Sequence, residues 1–133
     1  MPKGFRVALR RLPIAIVSLI ISSVYVPANA STENLLNECR AYLRQGSTVS
    51  SIDTAHCVSY IAGFYDGWTT GRLYFNPKTE LVKKFDVCFP EGISWNQLIA
   101  VFVRWGDKHP EKWHWEQWSA VRAAFKDAWP CKK

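Results

Sequence analysis

The sequence lacks most of the residue patterns on which small redox and metal proteins depend. None of its four cysteines belongs to a Cys-x-x-Cys pair, which argues against a thioredoxin-like redox centre, a zinc knuckle and a c-type haem attachment site. Residues 31–133 contain no internal repeat, low-complexity tract or Pro/Gly-rich linker, so they form one unit. A length of 133 residues also excludes a multidomain enzyme.

Long hydrophobic runs are scarce too, and the clearest one lies near the N-terminus. The run from Leu12 to Val26 is too short for a comfortable membrane span. Four basic residues precede it: Lys3, Arg6, Arg10 and Arg11. The small residues Ala28 and Ala30 follow it, at the positions where a signal peptidase needs them. We predict a signal peptide at residues 1–30 and a periplasmic domain at residues 31–133, with an uncleaved anchor as the alternative.

Much of the positive charge belongs to this leader. The formal net charge of the whole chain is +6, and the predicted cleavage removes four basic residues and no acidic one. The remaining domain has too small a basic excess to indicate a nucleic-acid partner. Cleavage also removes the apolar run, so we expect no membrane span in the mature protein.

Hydrophobic periodicity predicts four helices and therefore an all-α, disulfide-stapled four-helix bundle. The first helix begins behind Ser31 or Thr32 and ends near Gln45 or Gly46, and the second begins near Asp53 or Thr54. The third starts at Trp95, after a capping box between Ser94 and Gln97, and Pro110 ends it. The fourth ends before Pro130. Its predicted inward residues are Trp115, Trp118, Val121, Phe125 and Ala128, and those of the third helix are Trp95, Leu98, Ile99, Phe102 and Trp105.

The second predicted helix carries three glycines spaced by four, Gly63, Gly67 and Gly71. Glycine lowers helix stability by roughly 1 kcal/mol relative to alanine. Two interpretations follow: another backbone approaches this stripe closely, or the helix frays after Gly67.

An even number of cysteines in a short exported chain predicts two disulfides, with three possible pairings. The helix order selects one of them. Cys39 near the end of the first helix and Cys57 near the start of the second lie at similar heights in an antiparallel hairpin. Cys88 just before the third helix and Cys131 just after the fourth lie at the same end of the second hairpin. We predict the pairs Cys39–Cys57 and Cys88–Cys131.

The run from Cys57 to Asp66 resembles the Cys-x-x-Tyr-Ile-x-Gly-x-x-Asp signature of the Rap/Tai class of bacterial immunity proteins, with Tyr60 and Gly63 at its inner positions. The resemblance continues along nearly all of residues 31–133. It includes Cys88-Phe89-Pro90, Gln97-Leu98, His109-Pro110-Glu111 and Trp129-Pro130-Cys131.

This resemblance implies a non-enzymatic, exported protein without a cofactor. It implies protection against a peptidoglycan amidase delivered by type VI secretion, through occlusion of the amidase active site, often as a homodimer. A periplasmic chaperone or a cell-wall-associated binding protein of the same fold is the alternative function.

Two segments are candidate partner-binding regions. The stretch from Arg72 to Val87 is longer than in compact members of the family, and is either a toxin-contacting protrusion or a tolerated surface insertion. Its candidate contact residues are Tyr74, Phe75, Asn76, Lys83 and Lys84. Trp113, His114 and Trp115 at the corner between the third and fourth helices either bind a partner or wrap the end of the bundle.

Candidate chemistry is sparse. His56 and Cys57 are helix neighbours and point about 100 degrees apart, which argues against a cysteine-protease dyad. His109, Glu111 and His114 could form a thin metal site, but neither histidine has a second helical partner four residues on, so loop and capping roles are favoured. Asp66 is interpreted as a structural acid. We therefore predict no catalytic and no metal site, and a modest basic surface made of Arg104, Lys108, Lys112, Lys83 and Lys84.

Overall fold

The computed structural model of the protein describes residues 31–74 and 85–132. In these ranges the chain forms four α-helices and one short 3-10 helix: α1 (Thr32–Arg44), α2 (Ile52–Tyr74), α3 (Trp95–Lys108), the 3-10 helix Pro110–Lys112 and α4 (Gln117–Ala128). The predicted all-α class and the four-helix bundle are confirmed. The predicted signal peptide, Phe75, Asn76, Lys83 and Lys84 lie outside the described residues. No helix within those residues is both long and apolar enough to cross a membrane.

The predicted helix starts agree with the observed capping residues. Ser31 is extended, and its hydroxyl accepts a hydrogen bond from the N–H of Asn34. The Ser94 hydroxyl accepts in the same way from the N–H of Gln97 at 3.2 Å, so the serine half of the predicted capping box is confirmed. At the other end, α3 stops with His109 as the C-cap, directly before Pro110.

The core is formed by one apolar face of each helix. Its largest fully buried side chains include Leu35, Leu36, Ile61, Leu98, Phe102 and Phe125. Two predicted inward residues are wrong: Trp95 is 44% exposed and Trp118 is 55% exposed. Both belong to the first turn of a helix, where side chains tilt toward the N-terminus and pass the edge of the neighbouring helices. Trp115, predicted on the inward stripe of the last helix, instead precedes α4 and is half-buried, and Ala128 is only partly buried.

Neither interpretation of the glycine stripe describes Gly63 and Gly67. No neighbouring atom lies within 4 Å of the position where a Cβ would stand at either glycine, so close approach is wrong there. Fraying is also wrong, because α2 continues to Tyr74. Close approach occurs elsewhere, at the buried Gly106 of α3, where a Cβ would lie 2.3 Å from Cδ2 of Leu36 on α1.

Both predicted disulfides are confirmed. Cys39–Cys57 joins α1 to α2 with a sequence separation of 18, and Cys88–Cys131 joins the chain before α3 to the chain after α4 with a separation of 43. Each disulfide therefore closes one helical hairpin, and neither crosses from one hairpin to the other.

Noncovalent contacts join the two hairpins. Arg40 of α1 forms an ion pair with Asp107 of α3, at 2.6 Å between Nη2 and Oδ1. The backbone N–H of Thr32 donates to the carbonyl of Trp115 at 3.0 Å, and the Thr32 hydroxyl donates to the same carbonyl at 2.8 Å. These bonds fix the start of α1 against the corner before α4.

Candidate functional site

Large apolar side chains are exposed at the C-terminal end of α2. Leu73 is 84% exposed and Tyr74 is 85% exposed. Beside Leu73, an open groove of about 450 Å³ lies between α2 and the chain before α3. We use the name α2-end surface for the side chains of Tyr65, Leu73, Tyr74, Phe89, Pro90 and Trp95. Exposed apolar side chains grouped beside a concavity are typical of a protein-binding surface.

Three aromatic rings of the α2-end surface, those of Tyr65, Phe89 and Trp95, are anchored to the core. The Trp95 ring meets the Tyr65 ring edge-on at 5.5 Å, and Tyr65 meets Phe89 in the same way at 4.9 Å. Phe89 in turn contacts Phe125, at 5.4 Å between ring centroids, and Phe125 is fully buried. Because these three rings support one another, they lose little conformational entropy when a partner docks.

A cation lies at the second disulfide, on the wall of the same groove. The Arg72 guanidinium donates from Nη1 to the carbonyl of Val87 at 2.9 Å. The same nitrogen lies 2.6 Å from Sγ of Cys88 and 3.3 Å from Sγ of Cys131. Arg72 therefore connects the last turns of α2 to the stapled segment before α3.

The stapled segment is also held by a charge cluster at Asp86. Its carboxylate accepts from Arg122 at 2.8 and 3.2 Å and contacts Lys126 at 3.1 Å. Burial raises the pKa of Asp86, but the hydrogen bonds from Lys126 and Arg122 outweigh it and leave the pKa below its ordinary value. The backbone N–H of Cys131 also donates to the carbonyl of Asp86, at 3.2 Å. The wall of the groove is thus bonded to α4 by side-chain contacts and to the chain after α4 by a main-chain contact.

At the corner before α4, the candidate aromatic side chains are engaged in contacts within the bundle. The Trp113 indole donates to the carbonyl of Gly106 at 2.9 Å, and Nζ of Lys112 lies over the Trp115 ring at 4.3 Å from its centroid. Both indoles are half-buried, whereas His114 is exposed. The two tryptophans cover the end of the bundle. A smaller fraction of each indole is therefore exposed to a partner than of the Leu73 side chain. Partner binding by Trp113, His114 and Trp115 stays a prediction.

The family model for Rap1a immunity proteins matches residues 31–131. The chain belongs to the Rap1a immunity protein family. No curated protein and no solved structure matches the chain. The family resemblance drawn from the sequence is therefore confirmed, and the matched range covers both hairpins and both disulfides.

The Rap1a-type signature residues on α2 lie in different environments. Tyr60 is half-buried, and its pKa is raised by burial first and by the negative charge of Glu116 second. Gly63 and Asp66 are exposed on the same helix. The signature therefore does not assemble these side chains into one pocket, and their individual roles stay predictions.

The second part of the Rap1a-type pattern shapes the end of α3. Pro110 opens the 3-10 helix, and the His109 ring packs at a tilt against the Trp105 ring, with 4.7 Å between ring centroids. Nδ1 of His109 lies 3.1 Å from Oε1 of Glu111. The pKa of Glu111 is lowered, first by a hydrogen bond from its own backbone N–H and then by His109. These contacts correspond to the predicted loop and capping roles.

The described residues contain neither a cluster of metal-ligating side chains nor a free thiol. In residues 31–74 and 85–132, no three side chains of the His, Cys, Asp and Glu types are grouped as a metal site would need. Cys57 is bonded to Cys39, so it has no thiol to pair with His56. The His56 ring instead contacts Glu38 of α1 at 2.5 Å.

Sequence reasoning missed several residues of the α2-end surface and its supports. Arg72 and Asp86 were not singled out as functional, because their partners lie up to 59 residues away along the chain. Trp95 was assigned to the core. One signal was available, because Arg72 lies one helical turn beyond Trp68 and therefore on the same face of α2. That face meets the chain before α3, where the Trp68 indole also donates to the carbonyl of Val87, at 3.1 Å.

Proposed function

We propose that this chain is an exported, periplasmic immunity protein that neutralises a peptidoglycan amidase by covering its active site. The match to the Rap1a immunity family over residues 31–131 carries the proposal. In this proposal the protein acts by shape and charge, without catalysis. The resemblance further implies a homodimer, which sedimentation velocity measures directly.

The disulfides support a site of action outside the cytoplasm. Disulfides persist in oxidising compartments such as the periplasm and are rare where glutathione and thioredoxin keep thiols reduced. All four cysteines of this chain are paired. The basic and apolar leader at residues 1–30 agrees with such a destination.

We propose the α2-end surface as the toxin-binding surface. Leu73 offers an exposed apolar side chain at the mouth of a groove, and the adjacent rings of Tyr65 and Phe89 are anchored to the core. Binding energy in protein interfaces concentrates in such clusters of large, preordered side chains. Tyr74 was a candidate partner-binding residue in the sequence, and its exposure makes it available for this role.

The experiment compares two equally exposed apolar residues on one helix. Leu73 at the end of α2 is 84% exposed and Ile52 at its start is 87% exposed. Leu73→Glu places a charge on the proposed surface, whereas Ile52→Glu makes the same chemical change 21 positions away. The readout is inhibition of the amidase encoded beside this gene, measured on purified peptidoglycan together with affinity by calorimetry.

Wild-type protein is expected to inhibit the amidase stoichiometrically. Leu73→Glu is expected to weaken inhibition by at least about tenfold, because an unpaired carboxylate buried in an apolar contact costs more than the roughly 1.4 kcal/mol that a tenfold change represents. Ile52→Glu should inhibit like the wild type. Equal losses in both variants would contradict the surface assignment, and absence of binding to any adjacent amidase would contradict the proposed target.

Export is tested on the full chain by cell fractionation. The proposal expects the protein in the periplasmic fraction with Ser31 as its first residue. Recovery of the uncleaved chain from the cytoplasm, with free thiols, would refute it.

A further inference from the structure

The two disulfides differ in exposure and in their electrostatic surroundings. Cys39 and Cys57 are both fully buried. Cys88 and Cys131 are both partly exposed, and Cys88 lies on the wall of an open groove. A thiolate in solution therefore has access to the second disulfide without unfolding of the bundle.

The guanidinium of Arg72 adds a chemical asymmetry to this access. Its Nη1 lies 2.6 Å from Sγ of Cys88 and 3.3 Å from Sγ of Cys131. A fixed cation beside sulfur favours the thiolate over the thiol, and a more stable thiolate is a better leaving group in exchange. Because Arg72 is also bonded to the carbonyl of Val87 at 2.9 Å, it stays beside Cys88.

We propose that the Cys88–Cys131 disulfide is a site of thiol–disulfide exchange, opened by a small thiol such as glutathione, with Cys131 as the attacked sulfur and Cys88 as the leaving group. This inference goes beyond the proposed function, because it does not depend on any toxin. The Cys39–Cys57 disulfide remains closed under the same conditions.

The exchange step balances without a further reactant. The glutathione thiolate bonds to Sγ of Cys131, the bond between the two protein sulfurs breaks, and its electron pair stays on Sγ of Cys88 as a thiolate beside Arg72. The product is a mixed disulfide between glutathione and Cys131. A second glutathione thiolate can then release Cys131 as a thiolate and form oxidised glutathione.

Opening this bond changes the groove itself. The closed disulfide holds the segment at Cys88 against the chain after α4, where the N–H of Cys88 donates to the carbonyl of Trp129 at 2.9 Å. Without the covalent bond, this segment is held by noncovalent contacts such as the Asp86–Arg122 ion pair. Exchange at this site would therefore loosen one wall of the groove beside Leu73, while the Cys39–Cys57 disulfide would still join α1 to α2.

The test follows disulfide opening in the oxidised protein purified from cells expressing the full chain. Reduced glutathione is added, the reaction is stopped with acid at intervals, and peptide mass spectrometry locates both remaining disulfides and glutathione adducts. The expected result is loss of Cys88–Cys131 at least tenfold faster than loss of Cys39–Cys57, with the adduct mainly on Cys131. Equal rates, or an adduct mainly on Cys88, would overturn the proposal.

Arg72 variants test the leaving-group argument separately. Arg72→Gln is expected to slow opening of Cys88–Cys131 by about threefold to tenfold, whereas Arg72→Lys should retain most of the wild-type rate. Arg104→Gln, which removes an exposed arginine from α3, is the matched control for net charge. If Arg72 only held the segment in place, Arg72→Gln would instead speed up opening of Cys88–Cys131, because a loosened segment exchanges faster. Unchanged or faster opening in Arg72→Gln would refute the role of Arg72, while the adduct position in unmodified protein tests the site independently.

Discussion

Replacement of Gly106 by alanine should destabilise the protein, although alanine is the better helix former. In the interior of a helix, alanine gains about 1 kcal/mol over glycine, and this is the maximum gain for Gly106, which lies in the last turn of α3. Here the new Cβ would lie 2.3 Å from Cδ2, 2.6 Å from Cδ1 and 3.0 Å from Cγ of Leu36. Favourable carbon contacts occur near 3.5 to 4.0 Å, so three atoms of one side chain are too close at once.

The surroundings of Gly106 prevent easy relief of this overlap. Leu36 is fully buried, so its side chain has no solvent to move into. The carbonyl of Gly106 accepts hydrogen bonds from the Trp113 indole at 2.9 Å and from the N–H of His109 at 3.2 Å, which holds the end of α3 in place. Overpacking of this kind costs about 1 to 3 kcal/mol and occasionally more. With the upper value and the gain in helix propensity, we expect a net loss of about 2 kcal/mol.

Urea denaturation with both disulfides intact measures this loss, and two controls make the reasoning refutable. Gly63→Ala on α2 meets no neighbouring atom within 4 Å and should stabilise the protein by about 0.5 to 1 kcal/mol. In a Leu36→Ala background, Gly106→Ala should also become stabilising, because its Cβ then occupies part of the cavity. A stabilised Gly106→Ala single variant, or a loss of equal size in the Leu36→Ala background, would show that steric overlap is not the cause.

Two further predictions concern the ion pairs and the buried staple. Asp86→Asn removes the partner of Arg122 and Lys126 and should cost about 1 kcal/mol at neutral pH. Because the folded-state pKa of Asp86 is lowered, the contribution is present above the unfolded pKa near 4 and is lost as pH falls through the folded value, so urea titrations of the two proteins should converge below about pH 4. Replacing Cys39 and Cys57 together by alanine opens a staple with an 18-residue separation and should lower the free energy of unfolding by about 3 kcal/mol; a loss under about 1 kcal/mol would contradict the chain-entropy argument.

Local signals in the sequence are sufficient for the helices and the disulfides. Ser31 and Ser94 mark helix starts because a serine hydroxyl satisfies a backbone N–H that the helix leaves unpaired. The pairing of Cys39 with Cys57 follows from the height of each residue in an antiparallel hairpin. These features depend on neighbours a few residues away or on simple helix geometry.

The contacts that build the α2-end surface are not local, and the sequence does not reveal them. Hydrophobic periodicity places Trp95 on an inward stripe, but it does not indicate that a first-turn side chain extends past the edge of the bundle. Periodicity does not mark Gly106 either, although it follows Leu98 and Phe102 at steps of four, because glycine adds no side chain to an apolar pattern. The contact of Arg72 with Cys88 depends on how α2 packs against a segment 16 residues farther along the chain.

The placement of the disulfides has a consequence for how the molecule could be divided. Each one closes a loop within its own half, so a protease cut anywhere between residues 75 and 84 would yield two separately cross-linked polypeptides with no covalent link between them. Cohesion of the nicked protein would then depend on contacts such as Leu36 against Gly106 and Arg40 with Asp107. The domain is thus a natural candidate for a split reporter, in which the two halves are produced apart and recover their structure on meeting.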